Sequence, residues 1–77
     1  MTQTQTGPAL RKGMRVKWNW GHGVGRGHIA ERFDRHVERT IEGSLIRRNG
    51  SPRDPAYLIK ADSGSEVLKL ASEISAG

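Results

Sequence analysis

No cysteine occurs among the 77 residues. That excludes disulfides, thiolate–metal sites and a cysteine nucleophile. The absence fits a reducing compartment, and a cytoplasmic location is expected. No apolar run reaches the length of about 18 residues that a membrane-spanning helix needs. Nor is there a long basic block or a basic amphipathic pattern of the kind that lies on an anionic membrane. The opening residues, MTQTQTGPAL, have no positively charged start and no apolar stretch, so they do not read as a secretory signal. Aromatics are scarce: Trp18, Trp20, Phe33 and Tyr57 are the whole supply. A chain this short makes one domain, and such a domain buries only about 60% of the surface its unfolded chain exposes. A deep catalytic pocket is not expected.

What the chain does have is positive charge, a formal net +5 at pH 7. A basic balance favours anionic partners, nucleic acid or an acidic protein surface. The organising stretch is Gly13 to Ile29, GMRVKWNWGHGVGRGHI. Met14, Val16, Trp18 and Trp20 share one parity, and Arg15, Lys17 and Asn19 share the other. Side chains alternate faces along a strand, so this pattern describes a half-buried strand with an apolar face and a basic, polar one. Glycines at 21, 23, 25 and 27 follow, and they permit a sharp bend into a second strand.

Taken in order, residues 1–10 are polar and uncharged and read as a disordered tail, with the domain spanning 11–77. Strands are expected at Arg11–Trp20 and Val24–Phe33. In the second, the apolar parity slips, Val24 matching His28 but Ile29 matching Phe33. A β-bulge near Gly25 or Gly27 would reconcile the two. A third β region is expected over Val37–Arg48, with Val37 and Ile41 inward and a bend or bulge at Gly43-Ser44. Asn49–Pro55 (NGSPRDP) is dense in turn formers and reads as a loop. Strands at Ala56–Ala61 and Glu66–Leu70 flank a turn at Asp62-Ser63-Gly64, and Ala71-Ser72-Glu73 suits a short 3₁₀ or α turn. Five short strands without a long helix indicate an all-β fold, a strongly bent sheet rolled into a small barrel.

Catalytic and metal chemistry find little support. No Gly-x-Ser-x-Gly occurs, and neither Glu31 nor Asp34 forms an evident acid–base pair. His22, His28 and His36 lack the spacing of a ligand set and read as surface or turn residues. Gly23, Gly25 and Gly27 lack the spacing and the βαβ context of a dinucleotide fingerprint. No cofactor is expected. Trp18 is expected in the core, whereas Trp20, at the strand's end, is the candidate ligand-facing ring and Tyr57 stands between the two roles. Two groups of cations remain: Arg15 and Lys17 on the outward face of the first strand, and Arg47, Arg48 and Arg53 around the NGSPRDP loop. Cations beside an exposed indole suit nucleic acid, the cations holding phosphates and the ring stacking on a base. The expected site is therefore Arg15, Lys17, Trp20, Arg47, Arg48 and Arg53. The alternative is a peptide-binding site built on Trp20 and Tyr57.

The chain also resembles a family of small bacterial proteins, the hypervirulence-associated proteins with a Tudor domain. The carriers are Lys12-Gly13 with Val16 and Trp18, then Gly27 and Ile29, Thr40 to Gly43 (TIEG), Arg48-Asn49, Pro55-Ala56-Tyr57, Val67-Leu68-Lys69 and Ser72-Glu73. Their order and spacing span roughly Arg11 to Ile74. The resemblance implies an SH3-like barrel of five bent strands acting as a non-catalytic binding module. Tudor domains elsewhere read methylated lysine or arginine through an aromatic cage. Only the fold and the idea of a binding module carry over here, because no full cage maps onto these four aromatics.

Overall fold

The computed structural model describes residues 10–77. The expected tail therefore lies outside the described residues except for Leu10, which packs against the core.

The alternating stretch forms β1 (Arg15–Trp20), which turns at Gly21-His22 into β2 (Gly23–Phe33). Their antiparallel register runs unbroken from Arg15↔His28 to Trp20↔Gly23. The first strand thus starts later than expected: Arg11 and Lys12 belong to a turn closed by the Met14 N–H on the Arg11 carbonyl (3.0 Å). The Gly13 N–H donates to the Ile29 carbonyl (2.7 Å) while the Ile29 N–H donates to that of Met14 (3.0 Å). Two residues there face one, a bulge that bends the entry into β1.

The expected single β region over 37–48 is instead two strands, β3 (His36–Ile41) and β4 (Ser44–Asn49). Glu42 and Gly43 connect them, with φ of +49° and +82°. Two consecutive positive φ values are the mark of a type I′ turn, whose twist matches that of a hairpin. Gly43 is therefore the second half of a reversal, not a bend inside one strand. Then come β5 (Ala56–Ala61), β6 (Glu66–Leu70), a 3₁₀ turn (Ala71–Glu73) and β7 (Ser75–Ala76). Among the described residues the fold is all-β, with seven strands rather than five. One sheet has the order β6-β5-β2-β1-β7, and β3-β4 forms a separate two-stranded sheet. The hairpin joins the larger sheet by side-chain packing, so the strands do not form one continuous hydrogen-bonded ring.

The bulge in β2 lies at neither Gly25 nor Gly27. Pairing with β5 passes from Ile29↔Ile59 to Glu31↔Leu58, which leaves Ala30 as the extra residue. One extra residue inverts the facing of everything after it. Ile29 consequently packs with Val16, Trp18, Tyr57 and Ile59. Phe33, of the same parity in sequence, packs with Val37, Ala56, Leu58 and Leu68. Strand β5 separates these two clusters and is buried on both faces through Ala56–Ile59. That explains its unbroken apolar run, AYLI. Leu70 and Ile74 do not share a face: Leu70 packs against the Phe33 cluster and Ile74 against the Trp18 cluster. The intervening turn is 3₁₀ and ends in an extended Ile74, so the i,i+4 spacing of an α-helix does not apply.

Register also defines the sheet's second face. Residues directly opposite in an antiparallel pair share a face. On this face Ala56, Leu58 and Leu68 lie beside Phe33 and are covered by Val37, Ile41 and Ile46 of the β3–β4 hairpin. Beyond the hairpin's cover the same face continues with Lys60, His28 and Arg15 in one row and Arg26 and Lys17 in the next. Its far half is thus exposed and basic.

Candidate functional site: a basic sheet face

Five basic side chains occupy the exposed half of this face: Arg15 and Lys17 from β1, Arg26 and His28 from β2, and Lys60 from β5. All five residues are exposed. Two carboxylates temper them. Asp62, in the turn after β5, receives both terminal nitrogens of Arg15, at 2.6 and 2.8 Å. Glu66 lies 3.6 Å from the Lys60 ammonium. The hydrogen bond from Arg15 holds the Asp62 carboxyl below its ordinary value despite some desolvation, with help from the charges of Arg15, His28 and Arg26. Asp62 is therefore committed to Arg15 as a carboxylate. Besides His28, Lys17 and Arg26 remain. They stand directly opposite each other across β1 and β2, and neither has an ion-pair partner among the described residues. Like charges placed opposite each other in a sheet are destabilising, and an anion bound between them removes that cost.

The structure brings together only part of the expected site. Arg15 and Lys17 share the face. Arg26, His28 and Lys60 were not anticipated, because nothing in their local sequence says which strand lies beside which. Arg26 alone had an available signal, its place in a glycine-flanked strand that turns back on β1. Arg47 and Arg48 do not act as a pair. They are consecutive in β4 and so point to opposite faces of the hairpin. Arg47 lies 3.3 Å from Glu38 on the outer side. Arg48 donates to Glu73 at 2.9 Å and to the Arg47 carbonyl at 2.8 Å, tying the hairpin to the 3₁₀ turn. Desolvation acts against the Glu73 carboxylate, yet the Leu70 N–H and Arg48 outweigh it, so its pKa is lowered. Arg53 is exposed in a loop whose neighbour Asp54 caps the 3₁₀ turn through the Ser72 N–H and hydroxyl, both at 2.8 Å.

The aromatics separate in the same way. Trp20 is 67% exposed, but Tyr57 is only 3% exposed and its hydroxyl donates to the Leu10 carbonyl at 3.3 Å. Tyr57 is therefore a core residue, and the expected Trp20–Tyr57 peptide site does not form. Trp18 and Phe33 are buried too, and Arg39 and Arg35 lie over the Phe33 ring at 5.0 and 5.9 Å. With one exposed aromatic there is no cage. Trp20 has the parity of Val16 and Trp18, which puts it on the opposite side of β1 from Arg15 and Lys17.

The histidines stand apart: His22 in the hairpin turn, His28 on the basic face, His36 at the start of β3. Among the described residues no three histidine, aspartate or glutamate side chains converge as a metal site would require. His36 has a defined role. Its Nε2 meets Glu38 at 2.9 Å and its Nδ1 meets the Asn49 side-chain oxygen at 2.5 Å. Two acceptors facing both ring nitrogens favour the imidazolium, and the His36 pKa is raised, chiefly by Glu38 and then by Asn49. The Glu38 pKa is lowered, chiefly by the bond to His36. The histidine's contribution to stability is complete below its ordinary value of 6.5 and is lost as pH rises through the raised one. That of Glu38 is present above its ordinary 4.5 and is lost as pH falls through the lowered one. NMR titration is expected to place the His36 midpoint above 6.5 and Glu38→Gln to lower it. A midpoint unmoved by Glu38→Gln would refute the pairing.

A family model described as "Hypervirulence associated proteins TUDOR domain" matches residues 13–74. No match was found among curated proteins or among solved structures.

Proposed function

The chain belongs to the family of hypervirulence-associated proteins with a Tudor domain, a small binding module, and we propose that its ligand is nucleic acid, held by its phosphates on the basic sheet face. The observation that carries this reading is the Lys17–Arg26 pair, two cations side by side, exposed and without a carboxylate partner. Arg15 and Lys60 flank the pair and extend its field, although each already shares a carboxylate. A guanidinium beside an ammonium suits phosphate oxygens, the first by its fork of donors and the second as a point charge. Such contacts give affinity that depends on salt and position the ligand without specifying its sequence.

Fluorescence anisotropy with labelled oligonucleotides tests the reading. Three neutralised phosphates predict a slope of log K against log salt of about −2.7 for duplexes and about −2.1 for single strands. Lys17→Glu with Arg26→Glu is expected to abolish binding at low salt while leaving the circular dichroism unchanged, because both side chains project into solvent. Against either single reversal, Lys17→Glu or Arg26→Glu, Arg47→Glu makes the same charge change on a cation already beside Glu38 and is expected to weaken binding less. Tight binding by the Lys17/Arg26 double variant would refute this site. Binding of acidic peptides but of no oligonucleotide would replace nucleic acid by an acidic protein surface.

A further inference from the structure

The basic face does not end where the larger sheet ends. On one edge, β7 pairs with β1 only at Val16 and Lys17. On the other, β5 pairs with β2 only as far as Gly27. The backbone of Asp62 reaches one residue further, to the Arg26 carbonyl. From Asn19 to Val24, therefore, β1 and β2 pair only with each other. Every residue from Asn19 to Val24 is exposed, and a side chain built on Gly21 or Gly23 would meet nothing within 4 Å. This end of the hairpin is a two-stranded ribbon, open on both faces and along both edges.

The face that the ribbon shares with the basic surface is specific in composition. On this face Asn19↔Val24 is the cross-strand pair within the ribbon, and Lys17↔Arg26 is the pair at its base, where β7 still pairs with Lys17. Asparagine pairs with N6 and N7 of adenine, and an apolar side chain packs on the thymine methyl group. All these groups lie in the major groove of B-form DNA. That groove is about 12 Å wide and admits a two-stranded β-ribbon. Behind Lys17 and Arg26, the side chains of Arg15, His28 and Lys60 form the next row of the same face. An exposed Val24, 49% accessible between polar neighbours, gains a partner in this arrangement and has none in the free protein.

We propose that the β1–β2 ribbon enters the major groove of B-form duplex DNA with Asn19 and Val24 facing the base edges, while Lys17 and Arg26 at its base hold the flanking phosphates. This rests on the nucleic-acid reading above and adds the form of nucleic acid and the element that reads it. A-form RNA duplexes have a deep, narrow major groove that side chains cannot read. They retain phosphates for the cations but exclude the ribbon.

The test compares a DNA duplex, an RNA duplex of the same sequence and the corresponding single strands, using the full chain at one moderate salt concentration. The DNA duplex is expected to bind best. Asn19→Ala is expected to weaken its preferred DNA sequence about 5- to 150-fold, the range of one bidentate base contact, while RNA binding is unmoved. Chemical-shift changes on adding DNA are expected at Asn19 to Arg26. If DNA and RNA duplexes bind equally and Asn19→Ala has no effect, while the Lys17/Arg26 reversal still abolishes binding, the ribbon proposal falls and the phosphate reading stands. If no oligonucleotide binds, both fall. Preference for single strands, with loss on Trp20→Ala, would overturn the groove proposal in favour of base stacking on the indole.

Discussion

Trp18→Ala is expected to cost about 3–5 kcal/mol, the range for removing a buried aromatic. Domains are stable by roughly 0.05–0.15 kcal/mol per residue, so about 4–12 kcal/mol in all for a chain of this size. The loss would therefore leave a marginal fold. Trp18 packs with Val16, Ile29, Tyr57 and Ile59, with Leu10, Met14 and Ile74 closing around them. It also lies across Gly25, its direct cross-strand partner, where a side chain would overlap the indole. Truncation thus opens a cavity and uncovers glycine backbone at once. A large residue opposite a glycine stabilises a pairing that the glycine alone would weaken. Trp20→Ala, in the same strand but 67% exposed, is expected to stay within about 0.5 kcal/mol of wild type. Thermal melts of the two variants by circular dichroism decide the matter. A cooperative Trp18→Ala transition within a few degrees of wild type would refute this core.

Gly27→Val is the second large effect, expected at about 1–3 kcal/mol or more. A Cβ on Gly27 would lie 2.8 Å from the Ala61 Cα and 2.9 Å from the Lys60 carbonyl carbon, with the Lys60 oxygen closer still. These neighbours are backbone and cannot rotate aside, and Gly27, like His28, pairs with both β1 and β5. Even Gly27→Ala is expected to destabilise. Gly23→Ala should do the opposite, because it has open space and alanine is ordinarily favoured over glycine in a strand by roughly 0.5–1 kcal/mol. Opposite signs for the same substitution four residues apart in one strand would demonstrate the close approach. Equal effects at the two positions would refute it.

The bulge illustrates where sequence reading loses its hold. The sequence indicates an irregularity in β2, because Val24 and Phe33 differ in parity and both are apolar. Yet Val24 is exposed, so the slip inferred from it is not the true one. The break falls at Ala30, where a two-sided β5 requires Ile29 in one cluster and Phe33 in the other. An alanine carries no local signal for this. The hairpin turn at Glu42-Gly43 was missed for a related reason: the residue before the glycine is a glutamate at positive φ, not the asparagine or aspartate that usually announces such a turn.

What the sequence determined by itself is local and periodic. Alternation along Arg15–Trp20 assigned Val16 and Trp18 to the core and Arg15 and Lys17 to the surface, because successive side chains in a strand leave opposite faces. The short strand-like runs between turn signals likewise indicate a small all-β fold, and composition gives it an excess of cations. Which cations meet was decided by tertiary structure. Lys17 faces Arg26 through the turn at Gly21-His22, and Lys60 reaches His28 and Arg15 only because β5, far away in sequence, pairs beside β2. Tyr57 lost its place in the site for the same reason. Parity says only that alternate residues of β5 share a face, and both faces of that strand are covered. A strand's own alternation cannot report what packs over each of its faces.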